Sequence, residues 1–172
     1  MSKSSLVKSI LSVLTLGLMA GATFSAEKMI APAPNGIEIP KNYKNWQMIA
    51  VSHRTDNQTL RVILGNPLAV KAAKQGNTKP WPDGAIMAKI VWKDSNHPLW
   101  QAATVPDALV HAEFMIKDSK KFPATEGWGF ARWSGMEQKP YGKDASFAYE
   151  CLSCHQPAKA NDYVFTKSAQ LP

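Results

Sequence analysis

Residues 85–93 read Ala85-Ile86-Met87-Ala88-Lys89-Ile90-Val91-Trp92-Lys93, and their alternation decides the fold class. Ile86, Ala88, Ile90 and Trp92 fall on one side of an extended chain, Met87, Lys89 and Val91 on the other. Residues two apart share a face only in a strand, so this period predicts β structure with one side committed to a core. The preceding Pro80-Trp81-Pro82-Asp83-Gly84 has the composition of a turn.

Upstream, Asn66-Pro67 leads into Leu68, Ala69, Ala72 and Ala73 among lysines, and Gly76 closes the run. A capping residue, a proline suited to the first turn and a glycine stop predict a helix. Earlier still, Trp46 to His53 and Leu60 to Leu64 are rich in β-branched and aromatic residues and flank the polar Thr55-Asp56-Asn57-Gln58, which predicts a hairpin.

Downstream, Asp94 to Pro106 shows no period and reads as a looser connection. Alternation returns in Ala108 to Ile116, where Val110, Ala112, Phe114 and Ile116 interleave with His111, Glu113 and Met115. Trp128 to Trp133 follows the turn at Gly127 as a further strand, and Asp144 is placed to cap a short helix through Ala145, Phe147, Ala148 and the cysteines, ended by Pro157. Strands with a few short helices make the expected class mainly β (α+β), without internal repeats.

The chain has 172 residues, the size of one domain once a leader is removed. Lys3 and Lys8 precede an apolar, charge-free run from Ile10 to Phe24, the order of a secretory signal. The signal is expected over residues 1–26, with cleavage after Ala22 or Ala26, an extended and solvated arm over 27–36, and the domain over 37–172. The run is shorter than the roughly 20 apolar residues of a membrane span, so the mature form is expected not to insert stably in a bilayer. Without Lys3 and Lys8, 18 basic face 13 acidic residues, a mild excess scattered along the chain. No basic stripe for nucleic acid is present, though the charge suits an acidic redox partner.

The two cysteines stand in Cys151-Leu152-Ser153-Cys154-His155. This is the spacing of a c-type haem attachment site, two thiols for thioethers and an adjacent imidazole for iron. A thioredoxin-like pair belongs after a strand near the start of a βαβ unit, and zinc needs more ligands than these. The reading is therefore one covalent haem c, with His155 as the metal ligand. No methionine or histidine follows His155, so a sixth ligand would have to come from upstream. Met48, Met87, Met115 and Met136 read as core fillers, and His53, His97 and His111 as ordinary polar residues. An open iron position, suited to binding or chemistry on a small molecule, is the expectation.

The ordered set PKNYKNW, PDGAIMAKIVW, EFMIKDSKKF, GWGFARW, CLSCH and NDYVFT, spanning Ile39 to Thr166, resembles cytochrome P-460 and its relatives. The resemblance implies an antiparallel sheet packed over the haem, and usually a homodimer. It implies that Lys89, the lysine matching the motif, is cross-linked to the porphyrin edge, which requires a desolvated amine. Members with the cross-link look like oxidases of hydroxylamine, so an exported periplasmic enzyme acting on hydroxylamine or a related nitrogen compound is the leading expectation.

Proton removal in such a site needs a base. Glu113 is the expected one, its pKa raised by an apolar cavity, and Arg61 is a candidate donor to bound ligand or a haem propionate. A second expectation is a non-enzymatic nitric oxide or carbon monoxide binder of the β-type cytochrome c prime kind, and a third a simple electron carrier.

Overall fold

The computed structural model describes residues 29–170, so the expected signal peptide lies outside the described residues. Six strands form one antiparallel sheet in chain order: β1 (Gln47–Arg54), β2 (Thr59–Gly65), β3 (Ile86–His97), β4 (Trp100–Lys117), β5 (Trp128–Ser134) and β6 (Lys139–Pro140). Helix α1 (Pro67–Gln75) joins β2 to β3, and α2 (Phe147–His155) follows β6.

The alternation in residues 85–93 sets the two faces. Ala88 pairs with Leu64 and Phe114, and Phe114 with Ala131. This face closes a core of Ala88, Ile90, Ala112, Phe114, Ala131, Trp133 and Phe147, covered by Ala33, Ile37 and Tyr43. Tyr43, Phe114 and Trp133 meet edge to face at 5.2 and 5.6 Å between centroids, each pair adding about 0.5–1.5 kcal/mol beyond burial. The opposite face carries Met87 and Phe130 against α1, Trp81 and the C-terminal residues Tyr163 and Val164.

Helix α1 forms for the reasons its sequence states. The Asn66 side chain accepts from Ala69 N at 2.9 Å, Pro67 opens the first turn, and Gly76 ends the helix at φ 72° with its N–H on the last carbonyls. Asn66 also donates to Gly84 O and accepts from Ile86 N, tying the helix cap to the start of β3.

Four expectations are corrected. The stretch Asp94 to Pro106 is not loose: it is the distal arm of the β3–β4 hairpin, with Asp94 opposite Pro106 and Asn96 opposite Thr104. It lacks alternation because most of it is exposed, and a strand with neither face in a core has no reason to alternate. The arm before Gly36 is not simply solvated: Ala33 is buried, Trp133 Nε1 donates to Ala31 O, and Asn35 donates to Phe130 O. Asp144 does not cap α2. Its carboxylate accepts from Ser146 N and Oγ in a turn one step earlier, and Ser146 is the residue that precedes the helix. Pro157 ends the α-helix, but the chain continues as a 3-10 turn through Asn161. The two-residue β6 carries too little pattern to be foreseen.

Candidate functional site

Lys89 is not a lone cation on β3. Pairing runs Ile63, Lys89, Glu113, Arg132 straight across β2 to β5. Residues opposite one another in a sheet leave it on the same side, so the three charged chains meet on the face that carries Met87 and Phe130. Glu113 sits between two cations: Lys89 Nζ contacts Oε2, and Arg132 Nη2 lies 2.5 Å from Oε1. The carboxylate is 13% exposed against 30% for Lys89 and 31% for Arg132. In the next row Arg61, Val91, His111 and Ser134 are opposite one another, and His111 Nε2 is 3.4 Å from Glu113 Oε1.

The electrostatics of this row differ from expectation. Burial is the largest influence on Glu113 and pushes its pKa up, but Lys89, Arg132 and His111 together outweigh it and hold the carboxyl below its ordinary value. The expected upward shift is therefore wrong: an apolar wall would raise this acid, and the wall here carries cations on both neighbouring strands. Burial, opposed by Glu113 and reinforced by Arg132, Lys89 and Arg61, takes His111 down to about 4, so it is a neutral imidazole near pH 7. Arg61 shares the face but turns along its own strand, where Nε and Nη2 donate to Thr59 Oγ1 at 3.3 and 3.2 Å. Burial, then Arg54, lowers its pKa.

The cysteine motif faces the same space from α2. Cys151 is half-buried and touches both cores, whereas Cys154 is exposed. Both thiols are free. Burial pushes the Cys151 thiol up, with the charges of Arg132, Glu113, Glu150 and Lys89 also reaching it. A raised thiol is the opposite of the activated thiolate a redox disulfide uses. Among the described residues no three or more of His, Cys, Asp and Glu converge as a metal site.

His155 lies between the rings of Phe130 and Phe165, 5.5 and 5.3 Å between centroids. Its Nδ1 meets the carbonyl of Tyr163 at 2.6 Å. A carbonyl only accepts, so Nδ1 carries the proton and Nε2 keeps its lone pair for a metal. Burial lowers the His155 pKa, partly offset by that hydrogen bond, so the ring is neutral and able to ligate. Lys89, Glu113 and Arg132 are among the charges it feels.

Arg132 links the row to the motif. Its guanidinium stacks 4.6 Å above Tyr141, and Tyr141 Oη donates at 3.0 Å to Glu150, the neighbour of Cys151. Arg132 Nε is buried with no partner among the described residues, a donor that an anionic edge such as a haem propionate would satisfy. Two free thiols, an imidazole with Nε2 available, flanking aromatic rings and an unmet donor together fit a haem.

Arg132 and the closeness of His111 to Glu113 were not foreseen. Within a strand over Trp128 to Trp133, Arg132 lies on the face opposite to Ala131 and Trp133, and only the β4–β5 register brings it to Glu113. Met87 is buried, Met115 packs against the core beside it, and Met136 is exposed. His53 pairs with Asp94 at 2.5 Å, and His97 Nδ1 accepts from Leu99 N. Surface cavities of about 240 and 430 Å³ lie against α1, and neither is lined by a candidate residue.

Compared with known proteins, residues 40–166 match the family model described as Cytochrome P460. No curated protein matches the chain.

Proposed function

Because this chain belongs to the cytochrome P460 family and so is a haem cytochrome, we propose that it is an exported mono-haem c enzyme oxidising hydroxylamine or a related small nitrogen compound. In this reading Cys151 and Cys154 hold the haem by thioethers, His155 ligates its iron, and Lys89 is joined to the porphyrin edge. A haem held there would supply a redox-active iron able to take a small ligand. The observation that carries the reading is the single charged row Lys89, Glu113 and Arg132 on the sheet face that His155 and Cys151 also face.

Each side chain has a defined task. Glu113, an anion held by two cations, keeps the Lys89 amine in place on this face, and the ammonium must give up its proton to solvent before it can act as a nucleophile. Once Lys89 no longer carries charge, one of the two cations restraining Glu113 is gone. Burial then weighs more heavily, and the carboxyl becomes a stronger base for substrate protons. His111 beside it stays neutral near pH 7 and adds no third full positive charge against the carboxylate. Arg132 orients Glu113 and neutralises charge near the attachment motif.

The basic-then-apolar leader supports export to the periplasm, and no described helix is long and apolar enough to cross a membrane. Exposed Leu99 and Trp100 at the β3–β4 hairpin tip support self-association as a homodimer. The mild basic excess supports an acidic electron acceptor.

One specific observation favours the gas-binding alternative: the Lys89 amine is engaged by Glu113, and an ion-paired ammonium is not a nucleophile until it loses a proton. Ferric and ferrous spectra of the matured holoprotein, with mass mapping of haem-bearing peptides, separate the two. A red-shifted ferrous Soret band with Lys89 in the haem peptide supports the oxidase. Attachment through Cys151 and Cys154 alone, with inertness to hydroxylamine and tight nitric oxide binding, favours the gas binder.

A further inference from the structure

A second buried polar network lies behind His155, apart from the Glu113 row. Its centre is Asp162. The carboxylate takes Lys117 Nζ on Oδ1 at 2.8 Å and the Trp81 backbone N–H on Oδ2 at 2.8 Å, while the Asp162 carbonyl accepts from Trp128 Nε1 at 2.9 Å. The two charged side chains are 8% and 11% exposed, so this is a buried pair. Lys117 Nζ also donates to Glu126 O and lies 4.9 Å from the Trp128 ring centroid. Three parts of the fold, the ends of β4 and β5 and the turn at Trp81, thus converge on one residue.

The residue they hold sits in an unfavourable backbone. Asp162 and Tyr163 have φ of 51° and 63°, two consecutive non-glycine residues in the left-handed region. Such a conformation persists only where surrounding contacts over-determine it. Tyr163 does not supply those contacts through its own polar group, since its hydroxyl is buried with no hydrogen-bond partner among the described residues. What Tyr163 does supply is the carbonyl that receives His155 Nδ1–H at 2.6 Å.

We propose that Asp162, held by Lys117, Trp81 and Trp128, is a positioning residue for His155: it fixes the left-handed turn that aims the Tyr163 carbonyl at Nδ1. The assignment rests on His155 being the iron ligand. A hydrogen bond at the far nitrogen fixes ring orientation and raises the donor strength of the ligating one, a recognised control over metal properties. Lys117 and Asp162 therefore tune the iron through a backbone carbonyl, without touching the haem ligand themselves.

Resonance Raman spectra and redox titration of the ferrous and ferric holoproteins test this with Asp162→Asn. Asparagine keeps the side chain's size but turns a donor towards either Lys117 or Trp81 N. The iron–imidazole stretching frequency is expected to fall and the reduction potential to rise. Because Asp162→Asn also leaves Lys117 buried and unpaired, the double variant Lys117→Met/Asp162→Asn is measured beside it. That variant has no stranded charge, so its folding recovers while the frequency and potential stay displaced. A purely structural role would lower the unfolding midpoint and leave both readouts at their wild-type values in the double variant, which would overturn the proposal. An iron–imidazole band that persists unchanged in His155→Ala would instead remove His155 as the ligand, and the positioning role with it.

Discussion

His111 makes the stability of this protein depend on pH in a window that can be computed. In an unfolded chain its pKa is 6.5, and in the fold it is about 4, because the ring is largely buried and flanked by Arg132, Lys89 and Arg61 as well as Glu113. A depressed histidine binds fewer protons folded than unfolded between these two values, so the contribution is fully present above pH 6.5 and is lost as pH falls towards 4. Full conversion of that difference at pH 4.5 is about 2.5 kcal/mol. The ring keeps 21% exposure, and solvent screening lowers the expectation to about 1.5–2 kcal/mol.

The measurement is urea unfolding of the holoprotein and of His111→Gln at pH 7.5, 6.5, 5.5 and 4.5. Comparing the two proteins cancels every other titrating group that the substitution leaves alone. The gap between their unfolding free energies is expected to shift against wild type by about 1.5–2 kcal/mol from the highest to the lowest pH. Glu113 enters only at the acid end of the window, because its lowered pKa contributes stability that begins to fall near the unfolded carboxyl value of 4.5, so the points at pH 7.5 to 5.5 carry the His111 comparison. Parallel pH profiles for the two proteins would refute the reasoning, since they would mean that the His111 proton equilibrium is the same folded and unfolded.

Three further outcomes are expected. Arg132→Met leaves Glu113 with Lys89 as its only remaining ion-paired strong base and should cost about 1–3 kcal/mol in urea unfolding, the partial exposure of the pair keeping it below a fully buried one. Asn66→Ala removes a cap that serves both Ala69 N and Ile86 N, and the thermal midpoint should fall by the equivalent of about 1–2 kcal/mol. Gly129→Ala would put a Cβ 2.5 Å from the Phe122 ring and 3.0 Å from Ile37 Cδ1. Calorimetry should show a loss of about 1–3 kcal/mol, and an unchanged midpoint would mean that Phe122 moves aside freely.

The mainly β class, helix α1 with its cap and stop, and the two faces of residues 85–93 were all legible in the amino-acid order, because period and capping chemistry act between residues a few positions apart. The Cys151, Cys154 and His155 pattern could be picked out for the same reason: its residues are contiguous. Lys89 and Glu113 could be singled out by resemblance, yet their meeting depends on the β3–β4 register, which places them opposite one another from 24 positions apart. Arg132 joins them only through β4–β5 pairing, and Lys89, Arg132 and His111 together reverse the direction expected for the Glu113 pKa. The arm at Ala33 and the turn at Asp162 likewise owe their places to partners about 100 and 45 residues away. A pKa is the sum of burial and every nearby charge, and a buried turn is the sum of its anchors. Those sums exist only once strands far apart in the chain have been brought side by side, which is why the elements and the cysteine–histidine pattern belonged to the sequence and the electrostatics of the charged row to the tertiary structure.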